Sequence, residues 1–314
     1  VTPEEAKAHQ PVMLAEALDA LQLRAGGRYI DATFGRGGHS RAILARLGPD
    51  GFLLALDRDP EAVAFAREAF AGEGRFQIEH RSFGELAQAA QQHGMLGCTD
   101  GVLLDLGVSS PQLDDPARGF GFGRPGPLDM RMDPTEGISA GDWLAVASEQ
   151  DIAAVLKDYG EERHARRIAR RIVTARRQAP ITTTAELAEL VATAVPRWEE
   201  GKHPATRSFQ AIRIFINGEL QALEAALEQV GDVLAGGGRL VVISFHSLED
   251  RLVKRFIRRE SQGPEIPRGL PLPEARRQPT RFRPVGKTTR PGRVEVEQNP
   301  RARSAIMRVA ERLS

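Results

Sequence analysis

Two acids and a glycine-rich segment are the residues of this sequence best suited to chemistry. Asp31-Ala32-Thr33-Phe34-Gly35-Arg36-Gly37-Gly38-His39-Ser40 follows a short apolar run and precedes a helical pattern. Glycines there admit positive φ and let a ligand approach the backbone closely. A helix N-terminus behind them favours an anionic group. A second acid, Asp57, ends the next apolar run, Phe52-Leu53-Leu54-Ala55-Leu56, where a ribose diol needs a bidentate acceptor. Ser40 stands where a dinucleotide fingerprint carries its third glycine, which disfavours a pyrophosphate cofactor.

S-adenosylmethionine suits this set better. Its carboxylate can meet the loop amides, its ammonium can meet Asp31 or Asp105, and Phe83 can give its adenine an apolar face. A nicotinamide-dependent oxidoreductase is the rival reading, and no hydride-transfer site is evident for it. His246 follows the fifth apolar run, where it can accept a proton or stack on a base; a histidine satisfied within its loop is the alternative. Cys98 precedes the fourth run, at the wrong end for catalysis, and reads as structural. No His, Cys or Asp spacing makes a metal site.

The elements that must hold these residues alternate. Runs at 27–33, 52–57, 75–80 and 101–106 read as strands, with helices at 40–47 and 60–70 between them, which predicts parallel pairing in a doubly wound α/β sheet. From 111 to 126 the chain is rich in Gly, Pro and Asp and reads as a loop. Helices follow without strands: 142–158 with Ser148 as a cap, 161–177, 184–194, and one long helix over 208–234 ended by Gly236-Gly237-Gly238. Strand character returns at 239–245 and at 304–310. The expected organisation is a discontinuous catalytic domain, 1–111 and 206–314, with a helical insertion at 112–205.

The 314 residues are 41% hydrophobic and 27% charged, enough for a packed core. A single cysteine excludes an internal disulfide framework and fits a reducing compartment. Without an apolar run of ~18 residues or a signal-peptide pattern, the expectation is a soluble, cytoplasmic protein with no membrane partner. Residues 251–314 hold 17 Lys and Arg against 6 Asp and Glu, whereas 1–250 hold 26 against 36. That asymmetry points to a polyanionic partner.

Several longer segments carry a resemblance. They are Asp31 to Ser40; Leu103-Leu104-Asp105-Leu106-Gly107-Val108-Ser109-Ser110-Pro111-Gln112-Leu113-Asp114; Gly126-Pro127-Leu128-Asp129-Met130-Arg131-Met132-Asp133; Tyr159-Gly160-Glu161-Glu162; His203 to Arg213; Ser244-Phe245-His246-Ser247-Leu248-Glu249-Asp250-Arg251; and Asn299 to Ser304. Together they resemble the bacterial 16S ribosomal RNA cytosine-N(4)-methyltransferases over nearly the whole chain.

The resemblance implies a Rossmann-like S-adenosylmethionine-dependent methyltransferase with an inserted helical domain. The methyl group would pass to the exocyclic amine of a cytidine in the decoding region of 16S rRNA. Cofactor contacts would fall on Gly37, Gly38, His39, Asp57, Phe83, Asp105 and Gln112. For catalysis the candidates are Asp105, Ser109 and His246, because a catalyst must align the amine and accept its protons. Arg166, Arg167 and Arg170, on the polar face of the 161–177 helix, with Lys202, His203 and Arg207, are candidates for RNA contact. The substrate is expected to be RNA, within the small ribosomal subunit. Whether the enzyme is a monomer or a homodimer stays open. A non-catalytic small-subunit assembly factor and a DNA amino methyltransferase are the alternatives.

Overall fold

A computed structural model describes residues 11–196, 203–262 and 280–314. The chain forms two compact units, one of 1–107 with 220–314 and one of 108–219.

The first unit is built on seven strands: β1 Arg28–Asp31, β2 Phe52–Asp57, β3 Phe76–His80, β4 Thr99–Asp105, β5 Leu234–Ser244, β6 Phe282–Pro284 and β7 Ile306–Arg312. Their order is β3-β2-β1-β4-β5-β7-β6. β1 to β5 run parallel, but β7 pairs antiparallel with both β5 and β6. The sheet is therefore mixed, whereas alternation alone predicted parallel pairing. The short β6 lies in the Pro/Arg-rich stretch that gave no periodic signal. The last strand starts two residues later than expected, because Pro300–Ser304 forms a 3-10 turn.

Near-continuous apolar runs in β2, β4 and β5 follow from burial on both faces. Ile30, Leu54, Leu56, Val102, Leu104, Leu240 and Val242 pack with residues of the helices Leu86–Gln92, Glu219–Val233 and Ser247–Gln262. Alternate residues Tyr29, Leu53, Ala55, Leu103, Val241 and Ile243 pack with those of Leu14–Leu21, Gly38–Leu44 and Pro60–Ala69. Each fully buried Leu or Ile contributes about 1.5–3 kcal/mol. Strand order reverses around β1 and β4, and in such sheets ligands bind beyond the carboxyl ends of the strands at that point. Cys98 does not enter either core; its thiol is exposed.

The second unit is helical: Ser110–Asp114, Ala140–Val146, Glu149–Gly160, Ala165–Arg176, Thr184–Ala194 and Thr206–Asn217. The expected 142–158 helix is two helices, and Ser148 caps the second by accepting from the Asp151 N–H at 3.0 Å. The expected 208–234 helix is also broken. Gly218 adopts φ +59° and ends Thr206–Asn217, after which Glu219 starts a new helix and pairs with Arg213 at 2.8 Å. The unit boundary falls here rather than at 205/206. Ala205, Phe209, Ala211 and Ile212 bury themselves with Ile152, Leu156, Ile168, Ile172, Leu187 and Val191, so this helix belongs to the helical core.

The Gly- and Pro-rich segment of this unit is tightly seated. A Cβ at Gly126 would lie 1.8 Å from the Pro116 carbonyl oxygen, and one at Gly119 2.4 Å from that of Pro127. The buried Arg118 guanidinium donates to the Met132 carbonyl at 2.8 Å. Asn217 donates to the Met130 carbonyl at 2.8 Å and accepts from the Met132 N–H at 2.7 Å.

Candidate active site

The glycine turn leaves the carboxyl end of β1. Gly35 and Gly37 take φ +58° and +71°, which L side chains rarely adopt. Beneath Gly37 lies Phe34, whose ring packs against Phe70 with centroids 5.7 Å apart; a Cβ on Gly37 would sit 2.6 Å from it. Gly38 begins the following helix with His39 and Ser40 buried in its first turn. Asp31, fully buried, accepts from the Ser40 hydroxyl at 2.6 Å and from the Thr33 N–H at 3.2 Å. Burial raises its pKa, opposed by His39 and by the Ser40 hydrogen bond.

Asp57 ends β2 half-buried. One carboxylate oxygen accepts from the Gly35 N–H at 2.7 Å and the other from the Asp59 N–H at 2.8 Å. This acid therefore shapes the glycine turn as well as facing outward from it. Burial pushes its pKa up to about 6 against those two hydrogen bonds, and the Asp59 and Asp31 charges add to the rise. A carboxylate oxygen has two lone pairs, so each can still accept a hydroxyl.

Asp105 ends β4, and its own N–H donates to the Thr33 hydroxyl at 2.7 Å. Its Oδ2 lies 3.4 Å from His39 Nε2. That is ion-pair range without hydrogen-bond geometry: among the described residues, neither His39 ring nitrogen nor Asp105 Oδ1 finds a hydrogen-bond partner, although all three are buried. Burial works against a charged His39, but Asp105 and Asp31 outweigh it and raise its pKa. Phe83 opens a 3-10 turn after β3 and is partly buried against the core.

His246 lies two residues past β5 and caps the Ser247–Gln262 helix. The Glu249 N–H donates to His246 Nδ1 at 3.4 Å, and Glu249 Oε2 accepts from the His246 and Phe245 N–H groups at 3.2 and 2.8 Å. This is a capping box with histidine in the cap position. Nδ1 accepts, so a neutral ring carries its proton on Nε2, 3.1 Å from the buried Glu249 Oε1. The loop thus satisfies one ring nitrogen of His246 and leaves the other, Nε2, buried without a hydrogen-bond partner among the described residues. The box was legible in principle from Glu249, three residues on, but histidine is not among the common caps.

The remaining candidates lie in the helical unit. Ser109 caps Ser110–Asp114, and its N–H donates to the buried Gln112 side chain at 2.9 Å. Arg166, Arg167 and Arg170 are exposed on Ala165–Arg176, opposite buried Ile168, Ala169 and Ile172; Arg170 lies 3.6 Å from Glu149. The His203 ring packs 4.6 Å from Phe122, and its Nδ1 accepts from the Ala205 N–H at 3.2 Å. Arg207 is half-buried, with its backbone carbonyl close to Gly160. Lys202 lies outside the described residues. An open cleft of about 340 Å³ in this unit is lined by none of the candidates.

The first unit thus brings together Gly37, Gly38, His39, Asp57 and Asp105 at the carboxyl ends of β1, β2 and β4. Sequence reasoning missed Thr33, which accepts from the Asp105 N–H, and Ser40, which donates to Asp31, as well as Glu249, which fixes His246. Small hydroxyls carry no periodic signal, and their roles depend on which strands become neighbours.

This set suits S-adenosylmethionine. The orphaned Asp105 Oδ1 is a buried acceptor suited to an ammonium. Asp57 keeps lone pairs for a diol, and a side chain at Gly37 would be excluded on both steric and φ grounds. The sheet order, with this turn on β1 and acids ending β2 and β4, defines a Rossmann-like S-adenosylmethionine-dependent methyltransferase. The chain belongs to the MraW methylase family, whose model matches residues 6–313.

Curated relatives are similar over nearly their whole length. A ribosomal RNA small subunit methyltransferase H of Thioalkalivibrio sulfidiphilus is 60% identical over 98% of each chain. One of Shewanella amazonensis is 59% identical, again over 98% of each. Among solved structures, a putative rRNA methylase from Clostridium thermocellum aligns with 96% of this chain and 98% of its own at 11% identity. Its TM-score is 0.46.

Proposed function

We propose that this protein transfers the methyl group of S-adenosylmethionine to the exocyclic N4 amine of a cytidine in 16S rRNA of the small ribosomal subunit. The observation that carries the reading is the near-full-length identity to proteins named ribosomal RNA small subunit methyltransferase H. The unpaired buried acceptor at the end of β4 supports it. A ribosomal substrate fits a cytoplasmic location, and no helix among the described residues is long and apolar enough to cross a membrane.

When bound, the cofactor supplies an electrophilic methyl carbon on a sulfonium. The backbone around Gly37 and Gly38 would hold its carboxylate, Asp57 would accept from the ribose hydroxyls and Phe83 would give the adenine an apolar face. His39 and Asp105 would meet its amino-acid end, and Gln112 is a further candidate contact by the family resemblance. The cytosine amine is a weak nucleophile because its lone pair is delocalised into the ring. Alignment of that amine, with its protons held by acceptors, is what the chain must add. Asp105 and, four residues on, Ser109 are the groups assigned to this. His246 enters chiefly by fixing the turn after β5, because its acceptor nitrogen is spent on the helix cap.

The helical unit supplies RNA contacts. Arg166, Arg167 and Arg170 would bind phosphates, and the Phe122–His203 pair offers a ring surface; Lys202 and Arg207 are further candidates for RNA contact. A base buried in RNA structure must be splayed out to be methylated.

Incubating small-subunit RNA and intact subunits with the protein and cofactor, then mapping modified nucleosides by mass, tests the reading. N4-methylcytidine at one site is the expected product. Methylation of another atom, or of DNA in preference, overturns the substrate assignment. No turnover on any RNA favours an assembly factor that kept the fold.

A further inference from the structure

Two segments from opposite ends of the chain meet beside the glycine turn. Pro11 lies against Gly38, where a Cβ would sit 2.2 Å from the Pro11 Cγ. Gly38 is not among the glycines with positive φ. What excludes a side chain there is this proline rather than the backbone conformation. His39 follows, buried. Burial opposes charge on its ring, and the Val12 backbone is among the groups that offset it. Val12 and Met13 belong to the same buried cluster as Phe34 of the turn and Ile43 of the helix behind it.

Met13 is fully buried and takes φ +53°, which L side chains rarely adopt. Such a residue persists only where its surroundings fix it. It caps Leu14–Leu21, and a capping box would serve its N–H from Glu16, three residues on. The N–H donates instead to Glu295 Oε1 at 2.7 Å, 282 residues away. Glu295 sits in the short helix Arg293–Gln298. Asn299 follows, its N–H donating to the Glu295 carbonyl at 2.6 Å and its side chain capping the turn Pro300–Ser304. Ala302 and Ala305 then bury in the cluster that holds Met13. The core therefore anchors the backbone that presents this acid.

We infer that Glu295 is a positioning residue for the cofactor: it fixes Met13 and thereby sets Pro11 and Val12 against Gly38 and His39. The inference rests on the reading of the glycine turn as the S-adenosylmethionine site. A carboxylate suits the task, because a charge-assisted hydrogen bond is roughly twice as strong as a neutral one. The turn's amides can meet the cofactor carboxylate well only if the turn is held in place before binding. Loosening its support should therefore appear as weaker cofactor binding.

The test compares Glu295→Ala, Glu295→Gln and a control, Glu297→Ala. Glu297 is exposed on the same helix and pairs with Arg293 at 2.8 Å. S-adenosylmethionine affinity is measured by calorimetry well below the melting temperature of each variant. Glu295→Ala leaves a buried N–H without its acceptor and should weaken affinity by about tenfold. Glu295→Gln keeps an oxygen that can accept and should stay within about threefold of wild type. The control should stay within about twofold, as a surface pair contributes little. In steady-state methylation, Glu295→Ala should raise the KM for cofactor and leave the KM for RNA unchanged. Hydrogen exchange of wild type needs no variant: adding S-adenosylmethionine should slow the amides of 12–14 and 293–299 together.

A lower melting temperature in Glu295→Ala, with cofactor affinity and KM at wild-type values, would make Glu295 purely structural and overturn the inference. Equal losses in Glu295→Ala and Glu297→Ala would reduce the effect to net charge and overturn it too. So would exchange at 12–14 and 293–299 that ignores the cofactor, an arm that decides the matter even where Glu295→Ala does not fold. If wild type itself binds no S-adenosylmethionine, the reading of the turn fails, and the inference falls with it.

Discussion

On the proposed reading, Asp57 would couple the cofactor to the glycine turn, from whose Gly35 N–H it already accepts a hydrogen bond. Its pKa of about 6 means that the unliganded fold holds this proton more tightly than an unfolded chain, where the value is 3.8. Ionising it therefore lowers fold stability as pH rises from about 4 to about 6. Ribose hydroxyls donate to the ionised form, so cofactor affinity is expected to be full above pH 6 and to fall below it. Calorimetry from pH 5 to 8 checks this, and a flat profile sinks it. Asp57→Ala should weaken cofactor binding by about 1.5–3 kcal/mol, tenfold or more. The Gly35 and Asp59 N–H groups lose their acceptor too, so the melting temperature should also drop. His246→Asn makes the complementary test, since asparagine is a good cap. Stability within about 1 kcal/mol of wild type and single-turnover methylation within tenfold are expected. Loss of turnover with stability intact would return His246 to the chemistry.

At the scale of elements, the parallel half of the sheet could be read directly from the sequence. Long apolar runs ending in Asp57 and Asp105 have few other solutions. The antiparallel β6 and β7 could not, because β6 is three residues long and its pairing depends on a partner far along the chain. Nor could the break at Gly218, because a glycine inside a helical pattern is usually tolerated. The loop at 111–126 read only as irregular, yet the close approaches at Gly119 and Gly126 require glycine there. The candidate acids were legible because they end strands, whereas Thr33 and Ser40 were not. Asn217 shows what sequence periodicity hides: a polar residue at the end of an amphipathic helix that clamps Met130 and Met132. Asn217→Ala leaves those buried groups unpaired and should cost about 1–3 kcal/mol of stability in urea unfolding. A change under 0.5 kcal/mol would show the clamp to be dispensable.

At the scale of the whole molecule, each unit owns a hydrophobic core, and their cores draw on different segments of the chain. Ile168, fully buried in the helical core, offers a test of that independence. Ile168→Ala should remove about 2–5 kcal/mol from the helical unit. Hydrogen exchange should then speed at amides within 108–219 while those of β1, β4 and β5 stay protected. Uniform loss of protection would mean that the units open together.

The placement of the helical unit between β4 and β5 also sets an order of events during synthesis. These strands are neighbours in the sheet, yet the whole stretch 106–233 is translated between them. Until β5 is made, the β4 edge has no partner, and an open strand edge invites pairing with other chains. Closing so long a connection as loose coil carries an entropic penalty that grows with its length. A stretch already folded into helices presents β5 to β4 across a shorter effective loop. The insertion would then help to build the catalytic sheet before it ever meets RNA, and a weakened helical core would appear first as slow folding or aggregation of nascent chains.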